Sequence, residues 1–148
     1  MRYRILILIF IGLLCVFFCS ELPENGVVTP DGASEQWTGY RETESINSVG
    51  RIAIPGIDII VFNANETCQK VNIYNPEENA CLIRFTLLID GYIYWQSGFC
   101  SPGNGYYDIE LIRPIEAGTY HATLMHECQR PDGTVLNSAS MNITIVAR

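Results

Sequence analysis

From residue 51 to the end, the chain is a succession of short β-rich runs broken by turn residues at spacings of about 8 to 12. That punctuation restricts the fold more than any other feature, because it leaves no room for a helix of useful length and points to an all-β sandwich. Its centre is Arg113 to Cys128. Pro114 and Gly118 supply a bend, and the strand that follows alternates, with Tyr120, Ala122, Leu124, His126 and Cys128 on one face and His121, Thr123, Met125 and Glu127 on the other.

Seven strands are expected. Ile52 to Ile54, kinked by Pro55-Gly56, resumes as Ile59 to Asn63, which suits an edge strand that switches sheets. Thr67 to Tyr74 follows, with Val71 and Ile73 inward, and Asn75-Pro76-Glu77-Glu78-Asn79 turns the chain. Cys81 to Ile89 and Tyr92 to Phe99 form a hairpin about Asp90-Gly91, which supplies cheaply the positive φ that a two-residue type I′ turn requires. Tyr106 to Ile112, the Arg113 to Cys128 stretch, and Val135 to Val146 beyond Arg130-Pro131-Asp132-Gly133 complete the set.

The start is different in kind. Met1-Arg2-Tyr3-Arg4 precedes an unbroken apolar run from Ile5 to Cys19, the pattern of an export segment with its N-terminus inside and the remainder outside. At ~1.5 Å per residue the run reaches only ~22 Å, short of the ~30 Å hydrocarbon core. Length therefore favours a removed signal peptide, whereas Phe17 and Phe18 occupy positions where a peptidase site wants small residues, which favours a short anchor. Residues 1–20 are read as signal peptide or anchor, 21–50 as a flexible tether rich in Gly, Ser, Thr, Pro and acid, and 51–148 as the folded domain. Trp37 and Tyr40 are isolated within the tether.

Charge excludes one class of function. Without Arg2 and Arg4 the chain carries 7 basic residues against 16 acidic ones, and Lys70 is the only lysine. Nucleic-acid binding needs clustered cations to release counterions, and adsorption to an anionic membrane needs the same, so contact with a membrane is expected only through the N-terminal segment.

Outside the reducing cytoplasm, Cys68, Cys81, Cys100 and Cys128 are an even set that allows two disulfides. A tight Asp90-Gly91 turn places Cys81 across from Cys100, at a hydrogen-bonded site whose ~5.5 Å Cα spacing suits a disulfide poorly. In a Greek-key sandwich the strand beginning at Cys81 runs antiparallel to the one ending at Cys128, and the two cysteines then meet with core-facing parity. The second pairing is preferred, and it leaves Cys68 with Cys100 by elimination. No paired C-x-x-C spacing points to zinc, and His121 and His126 sit on opposite faces of one strand.

Catalysis has no foothold. There is no G-x-S-x-G elbow or Gly-rich phosphate loop, and the paired acids Glu77-Glu78 lie in a turn with no group placed to perturb them. No catalytic residue, metal or cofactor is expected. The one candidate binding feature is aromatic: Tyr92, Tyr94, Trp95, Phe99, Tyr106 and Tyr107 crowd two consecutive strands, and alternation forces some of them outward. Exposed Tyr and Trp build protein contacts and sugar-binding faces alike, although covering a sheet edge would account for them equally well.

Several segments resemble a group of small exported immunoglobulin-like proteins of anaerobic Gram-positive gut bacteria: Arg51-Ile52-Ala53-Ile54-Pro55-Gly56, Val71-Asn72-Ile73-Tyr74-Asn75-Pro76-Glu77, Ile109-Glu110-Leu111, Glu116-Ala117-Gly118-Thr119-Tyr120 and Leu136-Asn137. The resemblance covers roughly Arg51 to the C-terminus and implies an immunoglobulin-like Greek-key sandwich, export and a Gram-positive envelope, without an assigned activity. It also implies cysteines at the positions of Cys81 and Cys128, while Cys68 and Cys100 look like additions. Tyr120 resembles the tyrosine corner of such sandwiches, but Cys128 follows it by eight residues instead of two. The resulting expectation is a noncatalytic cell-surface or secreted domain that mediates protein contacts. A carbohydrate-binding module and an accessory subunit of a larger surface assembly are the alternatives, and the protein or glycan partner is unknown.

Overall fold

A computed structural model of the chain describes residues 28–39 and 52–148. Those residues form eight strands in two sheets, and no helix. The strands are β1 (Glu35–Gln36), β2 (Ile59–Phe62), β3 (Cys68–Tyr74), β4 (Leu82–Ile89), β5 (Tyr92–Cys100), β6 (Asn104–Glu110), β7 (Gly118–Gln129) and β8 (Ala139–Ala147). One sheet has the order β1-β6-β3; the other, curled into a half-barrel, has the order β2-β8-β7-β4-β5. The expected export segment, residues 1–20, lies outside the described residues. Among the described residues no helix is long and apolar enough to cross a membrane.

Alternation puts one face of each sheet into a shared core. Phe85, Leu87, Leu124 and Ile145 of the large sheet and Ile73 of the small one are buried together with Phe62 of β2. Each such side chain contributes ~1.5–3 kcal/mol when fully withdrawn from water. As expected, β4 lies antiparallel to β7, with Leu82 opposite Gln129 and Ile83 opposite Cys128. In the turn leading into β7 the Tyr120 hydroxyl donates to the Glu116 carbonyl at 3.1 Å, and its ring lies over Gly118, where a Cβ would come within 3.2 Å of it.

Four expectations are corrected. The strand count is eight, because Glu35–Gln36, read as tether, pairs with β6 through Glu35 opposite Gly105. Ile52 to Ile54 is not a strand; this stretch is held by a side chain, with Asn79 Nδ2 donating to the Ala53 carbonyl at 2.8 Å and the Ala53 N–H donating back to Asn79 Oδ1 at 2.7 Å. In the last hairpin the strand begins at Ala139 rather than Val135, which makes only an isolated bridge to Gln129. Finally, the β4–β5 hairpin turns tightly at Asp90 (φ 51°) and Gly91 (φ 79°), but β5 then takes up an extra residue twice. The slips fall between Leu87 and Leu88 and between Arg84 and Thr86, so Cys100 faces Ile83 and not Cys81.

Candidate functional site

The two bulges in β5 decide which aromatic side chains reach the surface. They bring Trp95 opposite Leu87, on the core face, where its ring meets Tyr106 edge-on at 5.2 Å. Tyr106 is buried as well, edge-on to Phe85, and its hydroxyl donates to Asp31 Oδ2 at 2.7 Å. Burial, with Asp31 beside it, pushes the Tyr106 phenol well above the ordinary tyrosine range. Burial also works against the Asp31 carboxylate, but the Ala33 N–H, the Tyr106 hydroxyl and the Gly98 N–H outweigh it and hold the group below its usual value.

The six aromatic residues therefore do not share one face. Phe99 is partly covered by Arg84, whose guanidinium sits 4.8 Å above the ring and pairs with Glu127 at 2.6 Å. Tyr107 accepts a hydrogen bond from the Thr38 N–H at 2.6 Å, so it fastens the segment that carries β1. Tyr92 is exposed and Tyr94 is half-buried against the core, and both turn toward one residue the sequence did not single out. Beyond β6 the Ile112 N–H donates to the Tyr94 carbonyl at 2.8 Å, which sets the next residue, Arg113, against β5. Its guanidinium lies 4.5 Å from the Tyr94 ring centroid and 5.4 Å from that of Tyr92.

Exposed apolar surface adjoins this cation: Ile112, the residue before it, is 71% exposed, and Tyr92, under the guanidinium, 65%. Ile93, 47% exposed, pairs with Leu88 and by alternation points to the other face of β5. Among the described residues no carboxylate forms an ion pair with Arg113, whereas Lys70 and Arg84 each have one. A guanidinium held over aromatic faces with its N–H edge open can take a carboxylate in bidentate fashion, and the exposed side chain of Ile112 beside it can bury apolar area. Arg, Tyr and exposed aliphatic groups in this arrangement have the make-up of a protein contact.

The cysteines divide unequally. Cys81, Cys100 and Cys128 are buried on the core side and Cys68 is exposed, all four being thiols. The Cys81 and Cys128 thiols interact directly. Burial, with Cys81 beside it, pushes Cys128 up to about 12, and burial pushes Cys100 up to about 11. The expected Cys68–Cys100 pairing is ruled out by distance. Cys68 opens β3, while Cys100 sits beside Asn75 just past its end, a separation of seven strand residues, or ~23 Å, against a limit of ~7 Å between bridged Cα atoms.

Asn75 is the residue sequence reasoning undervalued most. It was read as part of a turn, yet it is fully buried, and its Nδ2 donates to the carbonyls of Cys81 and Cys100, both at 2.9 Å. Its Oδ1 accepts from Asn79 at 2.8 Å, so the turn is stitched inward to the ends of β4 and β5. Trp37, read as an isolated tether residue, stacks on Tyr74 at 3.9 Å and donates from Nε1 to Asn72 at 2.7 Å. A shallow cleft of about 440 Å³ opens beside that clasp, lined by Gln36, Trp37, Tyr74 and Asn104 among others. The rest of the expected tether lies outside the described residues.

His126 is buried edge-on to Phe85 with its Nδ1 unpartnered among the described residues, and His121 is exposed across the strand. Among the described residues no three His, Cys, Asp or Glu side chains are grouped to hold a metal ion. Compared with known protein families, curated proteins and solved structures, the chain matches none of them.

Proposed function

We propose that the protein is a noncatalytic, immunoglobulin-like domain displayed at or released from a bacterial cell surface, and that it contacts other proteins through Tyr92, Tyr94, Ile112 and Arg113. The observation that carries the reading is Arg113 lying over both tyrosine rings next to exposed Ile112. The tyrosine corner at Tyr120 and the antiparallel β4–β7 pairing support the immunoglobulin-like assignment, and the apolar start with its flanking arginines supports export. A carbohydrate module built on the same tyrosines is disfavoured. A sugar needs the face of an aromatic ring, and here Arg113 occupies a face of each. An accessory role in a larger surface assembly is the same contact seen from the partner's side.

The test pairs a glycan array, probed with the purified full chain, with a photo-crosslinking amino acid placed at Tyr92 in producing cells. A blank array together with a discrete protein adduct that disappears on Arg113→Glu supports the reading. Reproducible sugar binding that Tyr92→Ala abolishes refutes it.

A further inference from the structure

Residues 28–39 lie across the sandwich as a strap that the core does without. None of them is fully buried, and among the described residues no member of the core cluster comes from this segment. Val28, Asp31, Ser34 and Trp37 are half-buried at every third position, and the pairs between them are exposed. One side of an extended segment therefore rests on a surface made by β3, β5 and β6.

Three anchors hold it there. The Asp31 N–H donates to the Phe99 carbonyl at 2.7 Å, and Asp31 Oδ2 accepts from the Gly98 N–H at 3.0 Å and from the buried Tyr106 hydroxyl at 2.7 Å. Gly98 does not have a positive φ, so its backbone does not call for glycine, yet a Cβ there would stand 2.8 Å from Asp31 Cβ and Cγ. The missing side chain makes room for the carboxylate. The Ser34 hydroxyl accepts from Asn104 Nδ2 at 3.4 Å, and next to it Glu35 stands opposite Gly105 of β6. The Trp37 N–H donates to the Gly103 carbonyl at 2.8 Å, its Nε1 donates to Asn72, and its indole stacks on Tyr74. An extended peptide docks on a sheet edge in this manner, held by main-chain hydrogen bonds and selected by side-chain slots.

We propose that this surface is a peptide-binding groove occupied by the chain's own strap, and that its ligand is a partner peptide carrying a carboxylate, a hydroxyl and an indole at three-residue intervals. The strap is then an intramolecular ligand that keeps the groove closed. Its grip is confined to the three anchors, so weakening one of them opens the groove and leaves the core in place. Because the strap belongs to the same chain, it competes at a high effective concentration, and a free peptide enters where the strap has been weakened. The groove is separate from the Arg113 contact. β5 carries both, with Gly98 and Phe99 toward one end and Tyr92 and Tyr94 at the other, so either can fail without the other.

Fluorescence anisotropy of a dye-labelled peptide of residues 28–39, titrated with the detergent-solubilised full chain, tests the proposal. The parent chain is expected to bind it weakly. Asp31→Ala loosens the strap and leaves the groove walls unchanged, and it is expected to bind the peptide about tenfold or more tighter than the parent does. Adding Gly98→Ala puts a Cβ where the peptide's carboxylate must sit and is expected to cancel that gain. A control peptide carrying both Asp31→Ala and Trp37→Ala is expected not to bind. If Asp31→Ala unfolds the chain because Tyr106 loses its acceptor, Trp37→Ala takes its place, since its side-chain partners are half-buried Tyr74 and exposed Asn72. No gain in a variant that still unfolds cooperatively in urea, a gain that survives Gly98→Ala, equal binding of the control peptide, or unfolding of both strap variants overturns the proposal.

Discussion

Asn75→Ala removes one side chain and takes a partner from three polar groups. The carbonyls of Cys81 and Cys100 lose the donor they share, and Asn79 Nδ2 loses one of its two acceptors while keeping the Ala53 carbonyl, all around a position with no solvent exposure. A buried group left without its partner costs ~1–3 kcal/mol, and water entering the vacated space relieves part of that, so the expected loss is ~3–6 kcal/mol. Domains of this size have a total stability of ~5–15 kcal/mol, so the change is large. Urea unfolding with reductant present, so that the thiols stay in one state, reads it directly. With a slope near ~2 kcal/mol per molar, a ~4 kcal/mol loss moves the midpoint down by ~2 M. Asn75→Asp keeps the shape but faces two carbonyls with carboxylate oxygens, and it is expected to cost at least as much at neutral pH and to recover as the medium is acidified. A loss below ~1 kcal/mol for Asn75→Ala with an unchanged slope would refute the claim that this turn is held from inside.

The other consequences are independent of one another. Under reducing conditions Cys68 should react with a maleimide in the folded chain, while Cys81, Cys100 and Cys128 react only on unfolding; after oxidation, peptide mapping should recover Cys81 joined to Cys128, and a Cys68–Cys100 fragment would contradict the geometry. Burial holds the His126 imidazole below its ordinary value of 6.5, so between the folded value and 6.5 the unfolded chain binds the extra proton. Stability is then fully present above pH 6.5 and lost as the pH falls below it, and His126→Leu should flatten that part of a stability–pH curve relative to the parent. Gly105→Ala would drive a Cβ to 2.7 Å from the Ile73 carbonyl oxygen in β3, a backbone atom that cannot swing aside, and is expected to cost ~1–3 kcal/mol or more in the same urea assay.

What could be read in advance was what depends on local pattern. Alternation from Tyr120 to Cys128 located β7, and Asp90-Gly91 located its hairpin, because both are properties of neighbouring residues. The register of that hairpin was not legible. Two extra residues in β5 cost nothing in local propensity and are chosen by what the core accepts, which is Trp95 buried and Tyr94 half-buried at the core's margin. The same limit hid Trp37 and Asn75. One looked like a stray aromatic in a polar stretch and the other like a turn residue, since their partners, Tyr74 and Asn72 for the first and the Cys81 and Cys100 carbonyls for the second, are set by the tertiary fold. Arg113 was passed over for a similar reason. Its sequence neighbours form a turn, and only the hydrogen bond between Ile112 and Tyr94 brings it over the two rings.

The functional account rests on that arginine, and one comparison tests it most directly. A photo-crosslinker at Ile112, next to Arg113 and exposed, is installed in the parent chain and in an Arg113→Glu chain produced in the same cells, with a second crosslinker at exposed Val135, which bridges Gln129 at the other end of β4, as control. The account predicts a defined protein adduct from Ile112 that falls about tenfold or more on charge reversal, with no corresponding adduct from Val135. Equal adducts from both positions, or an Ile112 adduct indifferent to Arg113→Glu, would contradict it.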